Sequence, residues 1–129
     1  MQIVIVGFGI QGKKRKKIIE QDFFASVDPY LKNSDFRDLE DVPLDKYDAV
    51  FLCVPEEDKL KLIKFCIKNK KNILVEKPIL SNNILILKSL EKLANKNNVI
   101  LYSAYNHRFE PNFNKLLNLI NSKKLGKIY

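Results

Sequence analysis

Cysteine, histidine and long apolar runs are all in short supply in this sequence of 129 residues, which has two cysteines, one histidine, one methionine and no tryptophan. Cys53 and Cys66 lie in AVFLCVP and LIKFCIKN, without the spacing of metal ligands, so they read as buried free thiols of a reducing compartment and no metal site is expected. No apolar run approaches the roughly 20 residues of a membrane span. The opening MQIVIVGFG lacks the basic start and long apolar stretch of a signal peptide. The expectation is a cytoplasmic protein with no membrane partner. Internal repeats and low-complexity linkers are also missing, and the length suits one domain. Glycine is scarce too: there are four, and three of them fall within six residues.

Against these absences stands an ordinary globular composition, 46% hydrophobic and 29% charged, which excludes disorder and allows a core without staples. The net charge of +8 attracts phosphates of any kind and does not choose among nucleotide, nucleic acid and anionic lipid. The lysines are spread from Lys13 to Lys127, which reads as a general surface bias rather than one binding stripe.

Short runs rich in valine, isoleucine and leucine read as strands buried on both faces: Gln2 to Val6, Phe23 to Val27, Ala49 to Val54, Asn72 to Val75 and Val99 to Ser103. Amphipathic stretches of helical length separate most of them. From Lys59 to Lys68, Leu60, Ile63, Cys66 and Ile67 recur at helical spacing, with Lys59, Lys61, Lys64 and Lys68 expected to face away. Ser81 is the expected N-cap of a helix with Ile86, Leu90 and Leu93 on one stripe. A last helix is expected from Pro111, with Phe113, Leu116, Leu117 and Ile120 on one face. The acidic segment Ser34 to Asp48 suggests a short edge strand around Asp35 to Arg37 and a turn at Pro43. The pattern predicts an α/β doubly wound domain with a parallel sheet.

The clustered glycines sit where that fold binds a dinucleotide. Gly7-Phe8-Gly9-Ile10-Gln11-Gly12 follows a strand and opens a helix, the context in which G-x-G-x-x-G carries meaning. The first glycine permits a tight turn, the second admits a pyrophosphate and the third lets helix pack on strand. Asp28 ends the second strand 21 residues beyond Gly7. A carboxylate there accepts the adenosine ribose hydroxyls and repels a 2′-phosphate, favouring NAD over NADP. The alternative is a strand-ending turn at Asp28-Pro29.

Lys13 to Lys17 forms an unbroken cationic run. At about 100° per residue, five successive side chains cover every face of a helix, so they cannot all line one groove. Arg15 and Lys16 fall on or beside the sheet-facing side and would have to snorkel outward. A bound pyrophosphate would offset these charges, and plain solvation is the alternative. No recognition module or aromatic platform accompanies the run, so a nucleic-acid partner is not expected.

Two later stretches are more specific, NILVEKPIL (Asn72 to Leu80) and LYSAYNHRFEPNFNKLLNLINSKKLGKIY (Leu101 to Tyr129). With GFGIQG and DAVFLCVPEE, in this order, they resemble the Gfo/Idh/MocA oxidoreductases over the whole chain, named for glucose-fructose oxidoreductase and inositol dehydrogenase. The resemblance implies a Rossmann domain and hydride transfer between NAD(P) and a sugar, sugar nucleotide or related polyol. It implies that Glu76 orients the nicotinamide ribose, and that Lys77 is catalytic, hydrogen-bonding the substrate hydroxyl or helping to move its proton. A desolvated lysine beside a polarising group suits that task. Pro78 would fix the turn, with a cis bond as one way of doing so. Cys53, Val54 and Pro55 would pack along the cofactor. The family often has a histidine four residues past this proline; here it is Lys59, and no role is carried over to it. Asn106 and Arg108 become candidate cofactor or substrate contacts, and His107 reads as a partly exposed structural histidine.

The resemblance also implies a second domain, built on an open antiparallel sheet, that supplies the substrate pocket. The expected organisation is a dinucleotide-binding domain over residues 1–122 and the start of a connection over residues 123–129. By this reading the chain holds a dinucleotide, takes a sugar-type substrate only when a second domain is supplied, and turns over little by itself. A noncatalytic nucleotide-binding or assembly module is the alternative. Apolar surface left for the second domain would favour a homo-oligomer or a complementing chain.

Overall fold

The computed structural model describes residues 1–79 and 84–127. Among these, five strands make one parallel sheet: β1 (Ile3–Val6), β2 (Phe23–Val27), β3 (Ala49–Leu52), β4 (Asn72–Val75) and β5 (Leu101–Ser103). Their spatial order is β2-β1-β3-β4-β5, with Ile3 beside Ala49, Ala49 beside Asn72 and Ile73 beside Leu101. Four helices accompany them: α1 (Ile10–Ile19), α2 (Glu56–Lys68), α3 (Ile84–Lys96) and α4 (Pro111–Asn121). This is the single doubly wound α/β domain expected from the sequence.

The order of strands makes the site. From β1 the chain goes to β2 on one side, then returns past β1 to β3, β4 and β5 on the other. Right-handed crossovers put α1 on one face of the sheet and α2 and α3 on the other. A crevice opens where the two directions part, beyond the carboxyl ends of β1 and β3.

Ile3, Val4, Ile5 and Val6 are all buried, as a central strand covered on both faces requires. The main core lies between the sheet and α2 and α3, where Val4, Val50, Leu52, Val75 and Leu90 meet Ile63, Cys66 and Ile67. Each such aliphatic side chain contributes about 1.5–3 kcal/mol by leaving water.

Several boundaries differ from those expected. α2 begins at Glu56, a turn before Lys59, because Glu56, Glu57 and Asp58 suit the positive end of a helix. β3 stops at Leu52, where the chain leaves the sheet toward Pro55. β5 starts only at Leu101, after Asn98 has turned the chain at a φ of 54°. In place of an edge strand at Asp35 to Arg37 there is a single parallel bridge between Val27 and Phe36. The Asp35 carboxylate holds that loop by accepting from the Ser26 amide at 2.8 Å and its hydroxyl at 2.6 Å. The N-cap expected at Ser81 lies outside the described residues. Cys66 is buried but Cys53 only half-buried, and both are free. The apolar face expected on α4 is there, yet Phe113, Leu116, Leu117 and Ile120 are exposed, and the helix packs chiefly on the short helical turn Asn106–Phe109.

Candidate active site at the carboxyl edge of the sheet

The parallel ladder continues past each strand at the carboxyl edge and lines up the candidate residues. Gly7 donates to the Val27 carbonyl at 2.9 Å, Cys53 to that of Val6 at 2.7 Å and Glu76 to that of Leu52 at 2.9 Å. Gly7, Cys53 and Glu76 therefore stand at the mouth of the crevice.

Gly7 takes a φ of +84°, and a Cβ there would lie 2.5 Å from the Cys53 carbonyl oxygen. At Gly12 a Cβ would lie 2.3 Å from the Gly7 carbonyl oxygen, so only glycine lets α1 sit this close to β1. A Cβ at Gly9 would meet nothing within 4 Å. Gly9 caps α1 with no side-chain hydrogen bond, and the first turn carries no acidic residue. The helix thus presents uncapped N–H groups and positive dipole to open space, which fits the pyrophosphate of a dinucleotide. Ile10 is exposed beside it, and Phe8 and Gln11 are half-buried.

Asp28 is buried at the end of β2 and closes this turn from the side. Its carboxylate accepts from the amides of Phe8 at 2.9 Å, Tyr30 at 2.9 Å and Leu31 at 3.1 Å. Burial works against its charge, but the amides of Tyr30, Phe8 and Leu31 and the nearby Arg37 outweigh it and hold the carboxyl below the ordinary aspartate range. Asp28 therefore ends the strand in a turn, and its own carboxylate is held as an anion beside the glycine loop. Arg37 binds the carbonyls of Pro29 at 3.2 Å and Leu31 at 2.9 Å and so stiffens the same turn. A cavity of about 190 Å³ adjoins it, lined by Val6, Val27, Pro29, Tyr30, Leu39 and Val54 among others.

On the other side of the crevice, Glu76 is gripped from α1. Its Oε1 accepts from Gln11 Nε2 at 3.0 Å and from Arg15 Nε at 2.6 Å, and Arg15 Nη2 pairs with the same oxygen. Cys53 lies beneath. Burial, and then the Glu76 charge, pushes its thiol up to about 12 against the pull of Arg15 and Lys59, so it remains a neutral thiol. Val54 is half-buried and Pro55 exposed where α2 begins. Lys77 is exposed and joined to Pro78 by a cis peptide bond. The desolvated lysine anticipated from the sequence is not what the described residues make, because none of them covers this part of the edge. Asn106 and Arg108 lie in the exposed helical turn beyond β5, where the Arg108 amide donates to the Tyr105 carbonyl at 3.3 Å, and among the described residues no hydrogen bond or ion pair is made by either side chain. His107 is exposed and meets Glu110 at 2.8 Å.

A family model described as an oxidoreductase family with an NAD-binding Rossmann fold, Gfo/Idh/MocA, matches residues 1–105. The chain belongs to the Gfo/Idh/MocA oxidoreductase family. It is 35% identical over 80 residues to a myo-inositol 2-dehydrogenase of Thermotoga maritima, covering 62% of this chain and 24% of that protein. It is 34% identical over 95 residues to an uncharacterized oxidoreductase, YrbE, of Bacillus subtilis, covering 72% of this chain and 26% of that one. The fold matches a scyllo-inositol dehydrogenase from Lactobacillus casei with bound NAD(H) and scyllo-inositol at a TM-score of 0.82 and 24% identity, over 99% of this chain and 43% of that one. The chain spans about a quarter of the length of the sequence relatives it matches.

Arg15 and Lys59 of this Gfo/Idh/MocA domain are placed differently from the sequence expectation. Arg15 turns inward onto Glu76 instead of reaching solvent or a phosphate, while Lys16 lies with its ammonium 4.1 Å from the centre of the Phe23 ring. Lys59, expected to face away, has a side chain only 3% exposed and is hydrogen-bonded to Pro78. A signal for Lys59 exists in its spacing: it precedes Ile63, Cys66 and Ile67 by four, seven and eight residues, on the inward stripe of α2. Among the described residues no group of three or more histidine, cysteine, aspartate or glutamate side chains is placed to hold a metal ion, and no helix is long and apolar enough to cross a membrane.

Proposed function

We propose that the chain is the dinucleotide-binding half of a dehydrogenase that oxidises or reduces a CH–OH group of a sugar, sugar nucleotide or related polyol. The observation that carries this reading is the uncapped start of α1 at Gly9, open to solvent between Asp28 and the Glu76 carboxylate. Gly7 to Gly12 would hold the pyrophosphate, Asp28 the adenosine ribose, and Glu76 the ribose at the nicotinamide end. Cys53, Val54 and Pro55 would form the wall between them, with Asn106 and Arg108 as outer contacts. When bound, the nicotinamide supplies the acceptor or donor of the hydride. Lys77 holds or moves the proton of the substrate hydroxyl.

NAD is favoured over NADP because the Asp28 carboxylate is fixed as an anion by three amides, and Arg37, the nearest guanidinium, is committed to backbone carbonyls. A 2′-phosphate would meet negative charge there. Residues 1–122 form the dinucleotide-binding domain in this reading, and residues 123–129 begin a connection to a substrate domain. With Lys77 open to water, the chain alone turns over little substrate, since hydride transfer needs a shielded, aligned carbon.

Calorimetric titration with NAD and NADP tests the assignment. Binding is expected for NAD, with NADP at least about tenfold weaker, equivalent to about 1.4 kcal/mol. A folded sample that binds neither overturns the dinucleotide reading, and equal affinity removes the role given to Asp28. Rapid NAD reduction by the isolated chain with inositols or sugars would refute its dependence on a second domain.

A further inference from the structure

Building on the reading of Lys77 as the residue that faces substrate, we propose that Lys59 is its positioning residue. The Lys59 ammonium pins the Pro78 carbonyl to the start of α2, while Arg15 and Gln11 pin Glu76 to α1, so that Lys77 projects from between two anchors.

Lys59 is an unusual use of a cation. Its side chain is 3% exposed, and it sits in the opening turns of α2, where the helix dipole is already positive. A buried ammonium is expensive unless it is both paired and hydrogen-bonded. Both conditions are met: Nζ donates to Glu56 Oε2 at 2.9 Å and to the Pro78 carbonyl at 2.5 Å. Filling volume beside Ile63 asks only for methionine or leucine. What the charge adds is the bond to Pro78, which joins α2 to the loop that follows β4.

The second anchor comes from the opposite face of the sheet. Glu76 is tied by its amide to Leu52 and by its carboxylate to Gln11 and Arg15 on α1. Residues 76 and 78 are therefore fixed to helices on different faces, with the exposed Lys77 between them. A side chain that must act at one point in space loses least when its own backbone is already held by such supports. Lys59 touches neither the substrate nor the cofactor in this proposal; it acts through Pro78.

The test uses the full chain labelled with ¹⁵N, before and after addition of NADH. In the unmodified protein the Lys59 ammonium, assigned through its proximity to Ile63 and Pro78 protons, is expected to exchange with water far more slowly than the exposed lysines. In Lys59→Met, amide exchange over Glu76, Lys77 and Ile79 is expected to rise at least about tenfold while β1 and β2 keep theirs. Lys59→Gln, which retains a donor, is expected to recover part of the protection. The NADH-induced shift of the Lys77 amide should fall in Lys59→Met by at least about half, with those of Gly9 and Ile10 retained; a purely structural role would change both sets or neither. A fast-exchanging Lys59 ammonium, decisive even when the variants do not fold, overturns the anchor. So does unchanged exchange at residues 76–79 in a folded Lys59→Met. A protected ammonium in a protein that does not bind NADH keeps the anchor but overturns the dinucleotide reading, and with it the role of Lys59 toward Lys77. NADH binding with an unprotected ammonium does the reverse.

Discussion

At the residue scale, the turn from β1 into α1 is expected to separate stability from dinucleotide binding with three positions of one amino-acid type. Gly7→Ala would force a side chain into a φ of +84° and against the Cys53 carbonyl. Its expected cost is about 2–4 kcal/mol, from backbone strain and overpacking together. Gly12→Ala would push α1 off the Gly7 carbonyl, with an expected cost of about 1–3 kcal/mol. Gly9→Ala meets nothing in the protein, so its stability should stay within about 0.5 kcal/mol of the parent. Its methyl group would instead occupy the approach of the pyrophosphate and weaken dinucleotide binding by at least about tenfold. Urea denaturation ranks the three by stability, and calorimetry separates Gly9→Ala from the parent. Unimpaired binding by Gly9→Ala would move the phosphate away from this turn.

At the scale of the element, α1 shows what its cationic run is for. Lys13, Lys14 and Lys17 are exposed, Lys16 covers the rings of Phe8 and Phe23, and Arg15 alone turns in to Glu76. Arg15→Met would leave a half-buried carboxylate short of its charged partner, for an expected loss of about 1–3 kcal/mol. Lys13→Ala and Lys14→Ala should stay within about 0.5 kcal/mol of the parent. Urea midpoints decide this, and equal effects at all three positions would deny Arg15 a special place. The sequence made the strands, the glycine turn and the helix periods legible, because β-branched runs, φ-demanding glycines and apolar stripes are local signals. It did not reveal that Arg15 reaches Glu76 or that Lys59 reaches Pro78. Glu76 lies 61 residues from Arg15, Pro78 lies 19 from Lys59, and both arrive only when β4 pairs with β3. Lys59 even shares the spacing of the buried stripe. Its charge argued for the outer face, and the inner one is tolerated because Glu56, one turn back, and the carbonyl of a distant loop both accept from it.

At the scale of the molecule, two opposing forces act on the surface. The net charge of +8 repels copies of the chain from one another, while α4 exposes Phe113, Leu116, Leu117 and Ile120 on one helix face. Contiguous apolar surface of this kind drives association when no neighbouring layer covers it. Charge repulsion reaches only about 8 Å at physiological ionic strength and about 3 Å in molar salt, whereas apolar contact is not screened. The expected behaviour is a weight-average mass that rises with protein concentration and rises further with sodium chloride. Leu116→Gln with Leu117→Gln should reduce that association without loss of stability, because both side chains are already exposed. Light scattering across a salt series measures the first effect and thermal melting checks the second. A monomer at every concentration and salt level would show that α4 does not bring copies together, and association that weakens with salt would trace it to charged groups instead.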